Sequence, residues 1–319
     1  MDRGLRQIKK PWTTNYLRSS WSVPAMKRWP LFSSLLLAFA VLAGCATLDE
    51  QQRGWIFQPS NRSWGNSAEQ MQDMKDVWIG FDSQTTGRPV KLHGLWLPAQ
   101  KERVGWTGGK APLLLYLHGA RWNVEGSAPR IRRMQELGFS VLAVDYRGFG
   151  KSSSDLPSES MAYEDARAAW DWLGTHQPGQ PRYIFGHSLG GAVAIELASR
   201  VNNEAGTIVE GTFTSIADVV ATMKWGWLPL RALITQPFES IDKVTRLGSP
   251  LLVVHGAKDT LILPSLGLKL FEAAQAPKSF VLVEGGSHYS TNSLGQAQYR
   301  LALADLFGAR QSPELLARE

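Results

Sequence analysis

The stretch that most constrains this chain is Tyr183-Ile184-Phe185-Gly186-His187-Ser188-Leu189-Gly190-Gly191, followed by Ala192-Val193-Ala194-Ile195-Glu196-Leu197-Ala198. A short apolar run breaks at a Gly-x-Ser-x-Gly turn and resumes as residues of helical character, so the pattern predicts strand, tight turn and helix. A serine on such a turn sits in a strained backbone position. Gly186 and Gly190 flank it because a Cβ at either place would crowd the neighbouring strand or the incoming helix. The hydroxyl is then pushed out at the carboxyl end of a strand, beside the positive end of a helix dipole. The alternative is a glycine-rich connection in an ordinary parallel sheet, with Ser188 merely capping a helix. Partners for a nucleophile later in the chain decide between the two.

With 319 residues, 44% hydrophobic and 19% charged, the chain can bury one large core. The formal charge of +6 is concentrated at the start. Residues 1–44 hold seven basic residues (Arg3, Arg6, Lys9, Lys10, Arg18, Lys27 and Arg28) against Asp2. Removing these from totals of 34 basic and 28 acidic residues leaves 27 of each, so the rest is neutral and carries no stripe that argues for nucleic acid. The basic opening reads as a targeting segment. Met26-Lys27-Arg28 is a positive n-region, Leu31 to Leu42 is an apolar run too short for a comfortable bilayer span, and Leu42-Ala43-Gly44-Cys45 follows. This resembles a bacterial lipoprotein signal, in which the cysteine is lipidated and becomes the mature first residue. The expectations are Met26 as the true start, 1–44 as the signal, Cys45 as the lipidation site and 45–74 as a tether that ends by packing on the body. Ala46 after the cysteine resembles the pattern directed to the outer membrane, facing the periplasm. Cys45 is the only cysteine, which excludes an intrachain disulfide and a thiol-rich metal site.

Val77 to Phe81 and Leu92 to Leu97, separated by Gln84 to Pro89, predict an antiparallel hairpin at a sheet edge. Beyond it, apolar runs at Pro112 to Leu117, Val141 to Asp145, Tyr183 to Gly186, Thr207 to Val209, Leu251 to His255 and Phe280 to Val283 alternate with helical patterns at Ile131 to Leu137, Met161 to Leu173 and Gln296 to Phe307. That alternation predicts an α/β fold with a mostly parallel, doubly wound sheet of about eight strands. About forty residues separate the strands at 207 and 251. Their apolar and aromatic content (Met223, Trp225, Trp227, Leu228, Leu230, Leu233) suits a small helical cap over a pocket, placed at about 212–247; a helix pair completing the core is the alternative.

Cleavage by serine requires a base to take the hydroxyl proton, an acid to orient that base, and aimed N–H groups for the oxyanion. Asp259 lies four residues beyond the strand ending at His255, and His288 lies in the Gly285-Gly286-Ser287-His288 loop past the last strand, where the spacing predicts mobility. Both fall on loops that a rigid sheet positions. His118, His187 and His255 are competitors at strand ends, where a structural hydrogen bond is the commoner role. His93 comes too early and His176 sits on a helix. Asp145 and Glu210 also end strands; Asp145 reads as structural and Glu210 as a substitute acid. The backbone N–H groups of Leu189 and Ala120 are the oxyanion candidates, each worth on the order of 3 kcal/mol of transition-state stabilisation. No histidine spacing suits zinc, and Gly148-Phe149-Gly150-Lys151-Ser152 lacks the first glycine of a phosphate loop, so no metal or cofactor is expected.

Leu115 to Gly119, Asp145 to Ser152, Gly186 to Gly191 and Glu210 to Ile216 together resemble the alpha/beta-hydrolase superfamily over about residues 75–310, with 311–319 as a tail. Within it, the motifs resemble small serine hydrolases grouped with serine aminopeptidases and prolyl-oligopeptidase-like enzymes, a subgroup that includes membrane-associated acyl-protein thioesterase-like members. Where that group often has asparagine after His-Gly, this chain has Ala120-Arg121-Trp122. The resulting expectation is a lipid-anchored serine hydrolase acting on a small ester or acyl substrate through Ser188, His288 and Asp259. A serine peptidase and a non-catalytic envelope scaffold are the rivals.

Overall fold

The computed structural model describes residues 44, 46–60, 67–100, 110–121, 123–223, 226 and 230–309, and the fold is that of the unit Ala46–Glu319. Met26 to Arg28, most of the Leu31 to Cys45 stretch and the tail beyond 309 lie outside the described residues, as do parts of the 212–247 insert. Among the described residues, no helix is long and apolar enough to cross a membrane.

Strand β3 (Leu113–Leu117) is apolar and buried along its whole length, because it is covered on both faces. Side chains alternate in direction along a strand, so Leu113, Leu115 and Leu117 enter one core while Leu114 and Tyr116 enter the other. β4 (Ser140–Val144), β5 (Arg182–His187), β6 (Gly206–Glu210), β7 (Leu251–Gly256) and β8 (Lys278–Val283) complete the parallel set. The hairpin β1 (Lys75–Asp82) and β2 (Pro89–Leu97) joins antiparallel at the β4 edge, with Ile79 opposite Leu92 and Leu95 opposite Ala143. The eight strands run in the order β1-β2-β4-β3-β5-β6-β7-β8. This is the doubly wound architecture the alternation of elements predicts.

Helices cover both faces. On one lie α3 (Ala128–Glu136) and α10 (Gln296–Phe307), which bury Ile131, Met134, Tyr299 and Leu303. On the other lie α4 (Glu159–His176), α5 (Leu189–Ala198) and α8 (Pro264–Ala273), which bury Trp170, Val193 and Leu266. α4 starts where the Ser158 hydroxyl accepts from the Met161 amide, and α10 stops at Gly308, whose φ of 69° is left-handed. Within the insert, α6 (Ile216–Ala221), a 3-10 turn (Leu230–Leu233) and α7 (Ser240–Val244) are short, as a cap requires.

Residues 46–57 form a helix. Its Arg53 donates to the carbonyls of Leu156 and Pro157, and its fully buried Phe57 packs edge-on against Phe238 at 5.8 Å and near Phe149 at 6.5 Å. This segment, expected as a tether, therefore reaches the core.

Candidate active site

Ser188 sits between β5 and α5 with φ 55° and ψ −122°, backbone angles that an L-residue adopts only under constraint. Three contacts supply the constraint: the Ser188 amide donates to the Glu210 carbonyl at 2.9 Å, the Gly191 amide donates to the Ser188 carbonyl at 2.9 Å, and so does the Thr212 hydroxyl at 2.9 Å. A Cβ on Gly186 would overlap the Gly190 carbonyl, and one on Gly190 would lie 2.5 Å from the His118 carbonyl oxygen. Only glycine fits at either position, and the turn owes its sharpness to that.

The structure brings Ser188, His288 and Asp259 into one hydrogen-bonded chain. His288 Nε2 lies 3.0 Å from Ser188 Oγ, and His288 Nδ1 lies 2.8 Å from Asp259 Oδ2. Asp259 is buried, yet its second oxygen accepts from the amides of Leu261 at 3.0 Å and Ile262 at 2.9 Å. Burial alone would push its carboxyl up. The hydrogen bonds from His255 and His288, the positive charge that His288 can carry and the Ile262 amide outweigh burial and hold it well below the usual carboxylate range. An ionised acid is what fixes a proton on the facing imidazole nitrogen.

The His288 loop is held rather than loose. The amide of Lys258 donates to the Gly286 carbonyl at 2.8 Å, tying it to the Asp259 loop, and Ser287 and Ser290 bond one another through hydroxyls 2.9 Å apart. His187 Nε2 donates to the His288 carbonyl at 3.1 Å. Burial, then the neighbouring Arg130 and His288, push the His187 imidazolium pKa well down, so the ring is neutral and serves as a strut.

The remaining candidates have other partners. His255 Nε2 donates to the Ile262 carbonyl at 2.9 Å and bolsters the acid loop from 3.5 Å. His118 bonds the Gly119 carbonyl through Nδ1 at 2.7 Å, and His93 lies between Asp76 at 2.6 Å and Asp145 at 3.4 Å. His176 stacks on Trp172 on the outside of α4. Asp145 accepts the Val124 amide at 2.8 Å, while Arg147 pairs with Asp165 and Glu164 instead. Glu210 is bonded to other groups: fully buried, it accepts from Arg130 Nε at 3.1 Å and the Tyr299 hydroxyl at 2.5 Å, with His187 Nε2 3.9 Å away. Sequence reasoning missed Arg130, whose only signal was a cation on the apolar face of α3.

For an oxyanion, the Leu189 amide opens α5 and has no acceptor one turn back. The Arg121 amide is engaged by the Phe57 carbonyl at 2.9 Å, whereas the Ala120 amide meets no acceptor among the described residues. Both residues border a cavity of about 190 Å³ that Ser188 and His288 also line. Its walls are Phe213, Ile216, Val219 and Met223 from the insert, Leu261 from the acid loop, and Trp55 from the 46–57 helix. Among the described residues, no cluster of histidine, cysteine and acidic side chains is arranged to hold a metal.

Residues 110–241 match the family model described as serine aminopeptidase, S33. The uncharacterized protein MT2364 of Mycobacterium tuberculosis is 32% identical over 267 residues, which span 83% of this chain and 90% of that protein. The lysophosphatidylserine lipase ABHD12 of Danio rerio is 31% identical over 209 residues, covering 58% of this chain but only 54% of the lipase. Among solved structures, the Pyrococcus furiosus esterase Pf2001 superposes with a TM-score of 0.60 at 19% identity over 80% of this chain and 99% of the esterase, a likeness of fold. The sheet order, the serine turn and the match of residues 110–241 to the serine aminopeptidase model agree: the chain has the alpha/beta-hydrolase fold.

Proposed function

We propose that the protein is a serine hydrolase that cleaves carboxylic ester or thioester bonds through an acyl-enzyme on Ser188. The reading rests on one observation: the His288 ring bridges Ser188 Oγ at 3.0 Å and Asp259 Oδ2 at 2.8 Å. Ser188 Oγ attacks the substrate carbonyl carbon as its proton passes to His288 Nε2, while Asp259 stays ionised and steadies the imidazolium. The carbonyl oxygen gathers negative charge against the Ala120 and Leu189 amides. His288 returns the proton to the departing alkoxide or thiolate. Water then gives a proton to His288 and its oxygen to the acyl carbon; the bond to Ser188 Oγ breaks, His288 passes that proton to Oγ, and the acid leaves. The apolar cavity walls suit an acyl chain.

The matched family's description favours a second reading, a serine peptidase acting on a free amino terminus. Against it, no Asp or Glu lines the cavity among the described residues to receive an ammonium group. A non-catalytic scaffold is the third. Fluorophosphonate labelling of the wild type and of Ser188→Ala tests the nucleophile: labelling that survives the substitution, or none in the wild type, refutes it. Rates across p-nitrophenyl esters of increasing chain length, set beside aminoacyl amides, separate esterase from peptidase.

The proposal extends to the envelope: lipidation at Cys45 anchors the protein, on the outer membrane's periplasmic face. The support is the Leu42-Ala43-Gly44-Cys45 box after a short apolar run. Cys45→Ser is expected to release the protein from membranes, and unchanged fractionation would refute the anchor.

A further inference from the structure

One residue at the cavity mouth is not used by the mechanism above. Arg121 follows the oxyanion candidate Ala120, and among the described lining residues it is the one permanent charge; none is acidic. Its backbone is fixed: φ is 70°, left-handed for a residue with a side chain, and its amide is held by the Phe57 carbonyl at 2.9 Å. Phe57 is itself locked in the core between Phe149 and Phe238. The guanidinium is thus carried on a rigid base. It is exposed, with no ion pair or side-chain hydrogen bond among the described residues.

Several arginines among the described residues are paired with acids. Arg130 meets Glu210, Arg147 meets Asp165 and Glu164, and even exposed Arg167 meets Asp171. An unpaired planar cation at the rim of an apolar cavity attracts a carboxylate or phosphate, which its fork of donors fits in a bidentate manner, and repels an ammonium. The walls formed by Phe213, Ile216 and Val219 offer an anion nothing, so charge and acyl chain must lie at opposite ends of one substrate.

We propose that Arg121 selects substrates of one class: esters of a long-chain acid whose leaving alcohol carries an anionic group, so that the acyl chain enters the apolar cavity and the anion stays at the rim. This rests on the Ser188 hydrolase reading. A guanidinium that holds the anion rather than the reacting carbonyl acts uniformly on ground state and transition state. Its effect therefore appears in KM more than in kcat.

The test compares three esters of the same fatty acid, presented at equal surface concentration in neutral detergent micelles to the full-length protein: anionic lysophosphatidylglycerol, zwitterionic lysophosphatidylcholine and uncharged monoacylglycerol. The wild type is expected to favour the anionic ester over the uncharged one by about fivefold in kcat/KM, the scale of an exposed charge pair, and to lose that preference as salt is raised. Arg121→Gln brings the ratio toward one through KM, Arg121→Lys keeps most of it, and Arg121→Glu inverts it. If the esters are cleaved but the wild-type ratio is near one, or Arg121→Gln leaves it unchanged, the selectivity is refuted and the Ser188 reading stands. If none of the three is cleaved by protein that still labels with fluorophosphonate at Ser188, the selectivity is refuted and the Ser188 reading stands; if labelling also fails, both fall.

Discussion

Glu210 ends β6 and Asp259 lies in the loop after β7, and replacing Glu210 by glutamine tests whether its carboxylate is structural. The Glu210 carboxylate is fully buried, with Arg130 Nε 3.1 Å from one oxygen and the Tyr299 hydroxyl 2.5 Å from the other. Glutamine keeps the shape but leaves the Arg130 guanidinium without a counter-ion and turns an amide toward a donor. Breaking one partner of a buried pair costs about 3–5 kcal/mol, a large share of the 5–15 kcal/mol that holds a typical domain together. Urea unfolding of Glu210→Gln is expected to show that loss as a fall in midpoint at unchanged slope. Removing the stranded charge as well, in Arg130→Met/Glu210→Gln, should recover part of it. The folded fraction of the single variant should still label with fluorophosphonate, because Glu210 does not touch His288. A loss below about 1 kcal/mol would refute the claim that this buried pair stabilises the fold. So would a double variant weaker than the sum of its parts.

Asp259→Asn is expected to lower kcat on the order of 10⁴-fold while the fold persists, since the amide no longer fixes the imidazole tautomer; single-turnover ester cleavage measures it, and a loss under tenfold would assign the orienting role elsewhere. Glu164 provides a pH test. Burial pushes its carboxyl up, but hydrogen bonds from the Ser83 hydroxyl, Arg147 and the Thr85 and Gln84 amides prevail and lower it from 4.5 to about 2. The folded state therefore binds fewer protons than the unfolded chain in this window, so the contribution is fully present above about pH 4.5 and is lost as pH falls toward 2. Urea midpoints taken across that window should fall less steeply for Glu164→Gln, and parallel profiles would refute the assignment.

Much of the fold is legible in the amino-acid pattern because it is local or periodic. β3 and β4 are buried on both faces and read as unbroken apolar runs, while the hairpin turn announces itself through Gly87 and Pro89. Spacing cannot show where a long-range partner lies. His288 was expected on a mobile loop; the Lys258 amide, bonded to Gly286, and the His187 ring, bonded to His288, tie that loop down from 28 and 101 residues away in sequence. The scattered aromatics of 46–57 did not disclose that Phe57 enters the core and steadies the Arg121 backbone.

What the sequence determined alone is the strained serine turn. A Cβ on Gly186 would overlap the Gly190 carbonyl, which is steric chemistry within five consecutive residues, while Gly190 leaves room for the His118 carbonyl at the end of the neighbouring strand. What only the tertiary structure decided is which carboxylate lies against His288. Asp259 and Glu210 look alike along the chain, and the choice rests on Arg130, which neutralises Glu210 from 80 positions away and leaves Asp259 alone facing the imidazole.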